Sequence, residues 1–232
     1  MGGTLRILTA NLFNGRTDPD VFAEIVQAAR ADVVAVQELS PEQAEPLARL
    51  LPFGSLYPDR VFNGKGIALA RRASVRRIAL GHRELEVARL DPADWPELAR
   101  EVEVLNLHVS SPTGRPFWAQ PGRRHRQLRT VLAHLDDTPH DARVLVGDFN
   151  ATPLWPVYRR IAARLDDMVL LHARRRGESP ARTWRPDGCW YRGPRLLRID
   201  HCFARGLDVE HVETHVLPGS DHDALLVELR LA

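Results

Sequence analysis

Short apolar segments recur throughout this chain, and their spacing limits the folds that it can adopt. The first is Leu5–Leu12, which is interrupted by a polar residue at Asn11, and the second is the β-branched run Asp32–Glu38. Between them, after Asp18-Pro19, apolar residues recur at helix spacing, namely at Val21, Ile25 and Ala28. Alternating strand and helix patterns of this kind predict a β-α-β opening.

Strand candidates stay frequent in the rest of the chain. The predicted strands are Gly66–Ala70, Ser74–Leu80, Glu84–Leu90, Val102–Val109, Arg143–Phe149, Leu197–Ala204, Leu207–Val216 and Ala224–Leu231, and the predicted helices are Pro41–Leu51, Ala119–Asp136 and Leu154–Leu165. A Gly/Pro-rich connection is predicted from Gly54 to Gly64, and Arg174–Pro194 is the poorest segment for regular structure. So many strands argue against a simple doubly wound sheet. The 232 residues, 44% of them hydrophobic, suffice for one globular domain over residues 1–232.

Polar side chains end or interrupt several of these strands. They are Asn11, Glu38, His108, Asp148 with Asn150, and Asp200, and a further group, Gly219-Ser220-Asp221-His222, precedes the last strand. Side chains alternate along a strand, so Asp148 and Asn150 are predicted to share one face, with Phe149 turned to the other. If these strand ends gather at one rim, their side chains meet in one cleft.

Each of these residues alone has an ordinary explanation. Asn11 is typical of a turn, Glu38 of the approach to a helix, and His108 of a satisfied core histidine. Together they favour a shared functional site over these ordinary explanations, because buried charges must be paired or must coordinate a metal. A set of carboxylates, amides and histidines without thiolates favours a hard divalent ion, Mg²⁺ or Mn²⁺ with Ca²⁺ as a further option.

The net charge and the cysteine content exclude few classes of function. The net charge is +2, and Lys65 is the only lysine, so nearly all the positive side chains are arginines. Arginine suits phosphate, but a chain that is rich in arginine and poor in lysine often reflects the base composition of the genome. Cys189 and Cys202 show no zinc or disulfide spacing. No run reaches the ~20 apolar residues of a membrane helix, and residues 1–12 do not resemble a secretory signal. We therefore expect a monomeric cytoplasmic protein, or a domain excised from a longer one.

Six segments carry a resemblance to a known family. They are TANLFNG (Thr9–Gly15), VVAVQEL (Val33–Leu39), LNLHV (Leu105–Val109), VGDFNATP (Val146–Pro153), RIDHCFA (Arg198–Ala204) and PGSDHDALLVEL (Pro218–Leu229). In this order they resemble the endonuclease/exonuclease/phosphatase superfamily, which includes deoxyribonuclease I. The resemblance implies a four-layer α/β/β/α sandwich of two mixed β-sheets flanked by helices.

The resemblance also implies roles for individual residues. Glu38 would be the principal metal ligand, with Asn11, Asp148 and Asp221 near the ion. Asp148 would orient or deprotonate the attacking water, and Asn150 would hold the phosphate or the base in place. His222, paired with Asp200, would bind the scissile phosphate, and His108 would assist the leaving oxygen. We also expect Arg126 and Trp184 to contact the substrate.

One departure weakens assignment to the DNA-repair members. They often carry an acidic residue two positions after the first asparagine, where this chain has Phe13. Three further motifs instead most resemble those of bacterial VanJ-like and YafD-like proteins. They are Tyr158-Arg159, Thr183-Trp184 and Gly219–His222.

Two substrate classes follow. We expect a phosphodiesterase acting on nucleic acid, and the alternative is a phosphomonoesterase or pyrophosphatase acting on a small or lipid-linked polyprenyl phosphate. Trp118, Trp155, Trp184 and Trp190 suit either a base or an apolar tail. A binding module with a decayed site is disfavoured, because the full polar set is present.

Overall fold

The computed structural model describes residues 3–61, 63–186 and 193–231. The strands are β1 (Thr4–Asn11), β2 (Val33–Gln37), β3 (Phe53–Tyr57), β4 (Lys65–Leu69), β5 (Ser74–Ala79), β6 (Glu84–Leu90), β7 (Val102–His108), β8 (Arg143–Asp148), β9 (Asp166–Asp167), β10 (Asp200–Arg205), β11 (Leu207–Val216) and β12 (Asp223–Leu231). The helices are α1 (Pro19–Ala28), α2 (Pro41–Leu50), α3 (Gln120–Asp137), α4 (Pro156–Ala162) and α5 (Met168–Arg176), and a 3-10 turn, Phe117–Ala119, precedes α3.

The strands form two six-stranded mixed sheets. The first has the order β11-β12-β1-β2-β4-β3, and the second has the order β5-β6-β7-β8-β10-β9. In the first sheet β1 and β2 are parallel, and in the second β7 and β8 are parallel, whereas the other described pairs are antiparallel. The two sheets therefore have similar centres, each built on one parallel pair.

Three apolar layers hold the four structural layers together. Side chains of both sheets, among them Ile7 and Val144, fill the space between the sheets. Phe22 of α1 packs on the outer face of the first sheet, and Leu128 of α3 packs on that of the second. The predicted α/β/β/α sandwich is confirmed, because helices cover both outer faces. Within the described ranges, no helix is long and apolar enough to span a membrane.

β3, β9, α5 and the 3-10 turn before α3 were not predicted from the sequence. β3 occupies part of the predicted Gly/Pro-rich connection, where Gly54 has φ +96° and an added Cβ would lie 2.1 Å from the carbonyl oxygen of Ile67. The glycine therefore permits close strand pairing rather than a loop. The last turn of α5, Arg174–Arg176, falls within the segment predicted to be irregular. The helix begins after Asp167, whose side chain accepts a hydrogen bond from Leu170 N, and it ends at Arg176 with Gly177 as its C-cap.

Two predicted helices differ in detail. In α1 the buried side chains are Phe22 and Val26, whereas Val21 and Ile25, whose spacing predicted the helix, are half-buried and Ala28 is exposed. α4 begins at Pro156 instead of Leu154, because Trp155 is extended, as a residue before proline tends to be.

Candidate active site

The polar strand ends gather at one edge of the sandwich. Asn11 ends β1 beside Gln37 of the parallel strand β2, and Glu38 follows directly. In the second sheet, His108 of β7 is in register with Asp148 of β8. The antiparallel strands β10 and β12 begin at this same edge, so they add Asp200 and the segment before Asp223. Parallel pairs that end together thus bring residues distant in sequence into one place.

A cleft of about 870 Å³ opens at this edge. Of the residues predicted for the site, those that line it are Asn11, Glu38, His108, Asp148, Asn150, Trp184, Asp221 and His222. Asp200 lies behind His222 and is buried. Arg126 is exposed on α3 and does not line the cleft, whereas Arg123, one turn earlier, does.

Asp148 is at the centre of the hydrogen-bond network. Its Oδ1 accepts from the backbone nitrogen of Asn150 at 2.7 Å, and its Oδ2 accepts from Asn150 Nδ2 at 2.8 Å and from Asn11 Nδ2 at 3.1 Å. The Nε2 atoms of His108 and His222 lie 3.4 and 4.0 Å from the same Oδ2. Burial raises the pKa of Asp148, although the charge of His222 opposes the shift. The carboxylate is therefore able to take up a proton near neutral pH.

Asn150 reaches the cleft by a route other than strand alternation. β8 ends at Asp148, and Asn150 adopts a left-handed conformation with φ +47°. This tight turn lets its side chain donate to Asp148 and to the carbonyl of Val109 at 3.1 Å. Phe149 is fully buried among the residues under α3 and α4, as predicted.

Glu38 also has an unusual backbone conformation. Its φ is +56°, in a region that non-glycine residues rarely adopt and that is often found at functional sites. Oε1 accepts a long hydrogen bond of 3.4 Å from Asn11 Nδ2, and Oε2 is buried with no partner among the described residues. Burial raises the pKa of Glu38, since only the Asn11 amide and more distant cations favour its charged form.

A partnerless buried carboxylate oxygen suits a metal ligand. Oδ1 of Asp221 is likewise buried without a hydrogen bond, and Oδ2 accepts from Trp184 Nε1 at 2.8 Å. Glu38, Asp148 and Asp221 offer the oxygen atoms that Mg²⁺ and Mn²⁺ prefer. In this arrangement Asn11 presents its amide nitrogen to the carboxylates, because its Oδ1 accepts from Phe13 N at 3.1 Å.

A second possible ligand set overlaps the first. Ligand atoms of Asp148, Asp200 and His222 all lie within 4.8 Å of one another. Nδ1 of His222, however, is 2.8 Å from Oδ2 of Asp200. Burial alone would lower the pKa of His222, but Asp200, with help from Asp148 and Asp221, raises it to about 10. Because Nδ1 of His222 is bound to Asp200, this set leaves only Nε2 of the ring for an ion, whereas Glu38 and Asp221 each have a carboxylate oxygen without a hydrogen bond among the described residues.

Ser220 and Thr183 support the site from behind. Ser220 Oγ donates to the carbonyl of Asn11 at 2.8 Å and accepts from His222 N at 3.0 Å, so it ties the last strand to the first. Thr183 Oγ1 accepts from the backbone nitrogen of Asp200 at 3.3 Å. Both residues lie within the motifs Thr183-Trp184 and Gly219–His222, but no role was predicted for either of them from the sequence.

Arg83 lies in the site but was not predicted from the sequence to belong to it. It ends the turn between β5 and β6, lines the cleft, and directs Nη1 at Nδ1 of His108. Burial and the charge of Arg83 hold the pKa of His108 well below its usual range. A lone arginine in a hairpin turn belongs to no motif, and only the pairing of β6 with β7 carries it to His108.

Four aromatic residues were predicted near the rim. Trp155 and Trp184 line the cleft, and Arg124 lies 5.2 Å above the Trp155 ring. Trp118 is 74% exposed in the turn before α3. Trp190, like Cys189, lies outside the described residues, whereas Cys202 is a buried free thiol.

Comparisons with known proteins show the family and the fold. The profile of the Endonuclease/Exonuclease/phosphatase family matches residues 8–222. No curated protein shows significant sequence similarity to the chain.

Several solved structures share the fold. An endonuclease/exonuclease/phosphatase from Beutenbergia cavernae is 20% identical with a TM-score of 0.72, over 99% of this chain and 72% of that one. D. rerio TDP2, complexed with a single-strand DNA product, is 18% identical with a TM-score of 0.75, over 98% of this chain and 99% of that one. A Bacteroides vulgatus endonuclease/exonuclease/phosphatase is 16% identical with a TM-score of 0.75, over 99% of this chain and 100% of that one.

Proposed function

Since this chain belongs to the endonuclease/exonuclease/phosphatase family and is a phosphoric ester hydrolase, we propose that it cleaves phosphodiesters of nucleic acid by in-line attack of water. Enzymes of this family use divalent metals, and we assign the ion of this chain to Glu38, Asp148 and Asp221. The observation that carries the proposal is the surroundings of Asp148, a buried carboxylate held by two amide side chains between two histidines.

A bound divalent ion would supply positive charge to the non-bridging phosphate oxygens. The protein's own side chains carry out the other steps, namely proton transfer, phosphate binding and stabilisation of the leaving oxygen. Asp148 accepts the proton of the attacking water, and Asn150 keeps its carboxylate in place. His222, protonated beside Asp200, binds a phosphate oxygen and stabilises the charge that develops on it. His108, on the other side of Asp148, faces the leaving oxygen.

The wall of the cleft supports a polyanionic substrate. Arg115 and Arg123 line it, and neither has an acidic partner among the described residues. Arginine forks suit phosphate oxygens, and the exposed ring of Trp155, which also lines the cleft, suits an unpaired base. The TDP2 structure with its single-strand DNA product has the same fold, which favours single-stranded DNA as the first substrate to test.

One observation favours the second candidate, a lipid-linked phosphate. Aliphatic side chains also stand at the rim: Val61 and Leu197 line the cleft, and Leu154, next to Trp155, is 85% exposed. Such residues contact an acyl or prenyl chain well but do not stack on bases.

A substrate panel with Mg²⁺ or Mn²⁺ tests the proposal. It comprises a single-stranded oligonucleotide, supercoiled plasmid, bis-p-nitrophenyl phosphate, p-nitrophenyl phosphate and a polyprenyl pyrophosphate. We expect the diesters to be cleaved, and we expect chelation or Asp148→Ala to abolish cleavage. Asp136→Ala, which changes an exposed carboxylate paired with Arg164, is the matched control. Turnover of only the monoester or the pyrophosphate would overturn the assignment to diesters.

The oligomeric state is tested separately. All the site residues come from one chain, and we propose that it acts as a monomer. Light scattering coupled to size-exclusion chromatography checks this, and a stable dimer would contradict it.

A further inference from the structure

Arg83 occupies an unusual position for an arginine in this cleft. It follows the turn that closes where Leu80 N donates to the carbonyl of Arg83 at 2.7 Å, and its side chain is half-buried. No carboxylate among the described residues forms an ion pair with it, and its Nε is buried without a hydrogen bond. Its polar contact is with a histidine ring, Nη1 to Nδ1 of His108.

The direction of that hydrogen bond follows from the chemistry of the donor. A guanidinium keeps its protons at all ordinary pH values and has no acceptor atom. Nδ1 of His108 must therefore accept, and the ring hydrogen must be on Nε2. That nitrogen lies 3.4 Å from Asp148 Oδ2 and 3.8 Å from Glu38 Oε1, so its hydrogen points into the site.

We propose that Arg83 is a positioning residue that holds neutral His108 in its Nε2–H tautomer and so directs a hydrogen-bond donor at the leaving oxygen. This inference rests on the proposed function, because it assigns a role within the same reaction. In His222 the hydrogen bond has the opposite direction, because Nδ1 donates to the carboxylate of Asp200. The Nδ1 atoms of the two histidines thus have opposite partners, a donor at His108 and an acceptor at His222.

The tautomer determines what His108 does in the reaction. A neutral imidazole is a far weaker acid than an imidazolium, so His108 stabilises the leaving oxygen by donating a hydrogen bond and keeps its proton. The bond from water oxygen to phosphorus forms, the bond from phosphorus to the ester oxygen breaks, Asp148 takes the proton of the water, and the departing alkoxide takes its proton from solvent.

The tautomer can be measured without turnover. Long-range ¹H–¹⁵N correlation spectra of ring-labelled histidines distinguish protonated from bare ring nitrogens, and His108→Gln identifies the His108 signals. We expect a neutral Nε2–H ring in the wild type with and without Mg²⁺. We expect a change in tautomer in Arg83→Met, the wild-type pattern in Arg83→Lys, and no change in Arg76→Met, which alters an exposed arginine of the same hairpin. A hydrogen on Nδ1 in the wild type, or an unchanged ring in Arg83→Met, would overturn the proposal even if the enzyme cleaved diesters.

Kinetics separate positioning from phosphate binding. We expect Arg83→Met to lower kcat about tenfold to a hundredfold with little change in KM, and to slow nucleotide esters more than p-nitrophenyl esters, whose leaving group needs less help. Adding Arg83→Met to His108→Gln should slow the enzyme no further. A raised KM with unchanged kcat would instead make Arg83 a substrate ligand. Absence of any diesterase activity would refute the proposed function, while the spectra would still decide the tautomer.

Discussion

Nδ1 of His222 lies 2.8 Å from Oδ2 of Asp200, and neither residue is exposed to solvent. Asp200 therefore fixes both the orientation and the charge of the imidazole that faces Asp148. In the absence of that carboxylate, burial would make the neutral ring more stable.

Asp200→Asn tests this pairing. Because Asp200 raises the pKa of His222 to about 10, its loss lowers that pKa, and the alkaline limb of the pH–rate profile should move to lower pH. We expect kcat at pH 8 to fall by about a hundredfold, as for loss of an electrostatic stabiliser. The profile of Asp136→Asn should match the wild type. An alkaline limb that stays in place in Asp200→Asn would refute the assignment of His222 as the cation.

Glu38→Gln tests the metal site. The amide keeps a hydrogen-bonding oxygen but loses the negative charge that a divalent ion needs, so we expect Mn²⁺ affinity to fall by at least tenfold. Titration calorimetry measures it directly. A saturating ion raises the free energy of unfolding by about 2.7 kcal/mol at 100 times its Kd, so the ion should raise the Tm of the wild type far more than that of the variant. Glu45→Gln, at an exposed position on α2, is the control. Equal Mn²⁺ affinities in wild type and Glu38→Gln would remove Glu38 from the ligand set.

Arg123→Gln tests the basic wall. If Arg123 contacts a backbone phosphate, its loss should weaken binding of single-stranded DNA and reduce the slope of log K against log salt by about 0.7. Arg129→Gln changes an exposed arginine two turns further along α3 and should leave the slope unchanged. Fluorescence anisotropy of a labelled oligonucleotide, with Asp148→Ala to prevent cleavage, gives both slopes. An unchanged slope in Arg123→Gln would show that Arg123 does not contact a backbone phosphate.

Glu86→Gln tests a buried carboxyl between the sheets. Burial raises the pKa of Glu86 to about 8, although Asn106 Nδ2 donates to it at 2.8 Å. A raised pKa in the folded state means that the stabilisation is complete below the unfolded value of 4.5 and is lost as pH rises through about 8. Urea unfolding should show wild-type stability falling by a few kcal/mol, roughly 1.4 per pH unit, between pH 5 and pH 8.

The glutamine has no such proton to lose. The unfolding free energy of Glu86→Gln should therefore fall by a few kcal/mol less than that of the wild type over that range, and Glu45→Gln should follow the wild type. Parallel profiles for the wild type and Glu86→Gln would show that Glu86 is ionised in the folded protein.

Gly147→Ala tests how tightly β7 and β8 are paired beside the site. Gly147 has φ +131°, and an added Cβ would lie 2.0 Å from the carbonyl oxygen of Leu107. The two strands would have to separate, so we expect a loss of about 3 kcal/mol or more in unfolding free energy, and lower activity because His108 and Asp148 are the next residues on those strands. Gly81→Ala also has positive φ, +83°, but its Cβ would meet nothing within 4 Å, and it should cost about 1 kcal/mol. Equal losses would mean that backbone strain, not the contact, determines the effect.

Much of the site could be predicted because its residues end strands within recognisable motifs. Asn11, Glu38, His108, Asp148 and His222 all line the cleft that their positions in sequence suggested. Their roles remain predictions until the variants are measured. What local sequence conveys well is that a polar side chain interrupts a buried strand.

The remaining parts of the site depend on which strands become neighbours. Arg83 reaches His108 only because β6 pairs with β7, and nothing near Arg83 in the sequence encodes that pairing. The choice between Arg123 and Arg126 depends on the rotation of α3, which packing on the second sheet sets. Register and helix rotation are tertiary properties, and composition does not specify them.

The pairing of β1 with β12 has a consequence for biosynthesis. Thr4 is opposite Arg230, and Ser220 binds the backbone of Asn11. A ribosome that has made the first two hundred residues has therefore produced Glu38, His108 and Asp148 but not His222, which completes the site. Such long-range closure slows folding, and the nascent chain has no complete site for phosphoric ester hydrolysis until His222 has been made.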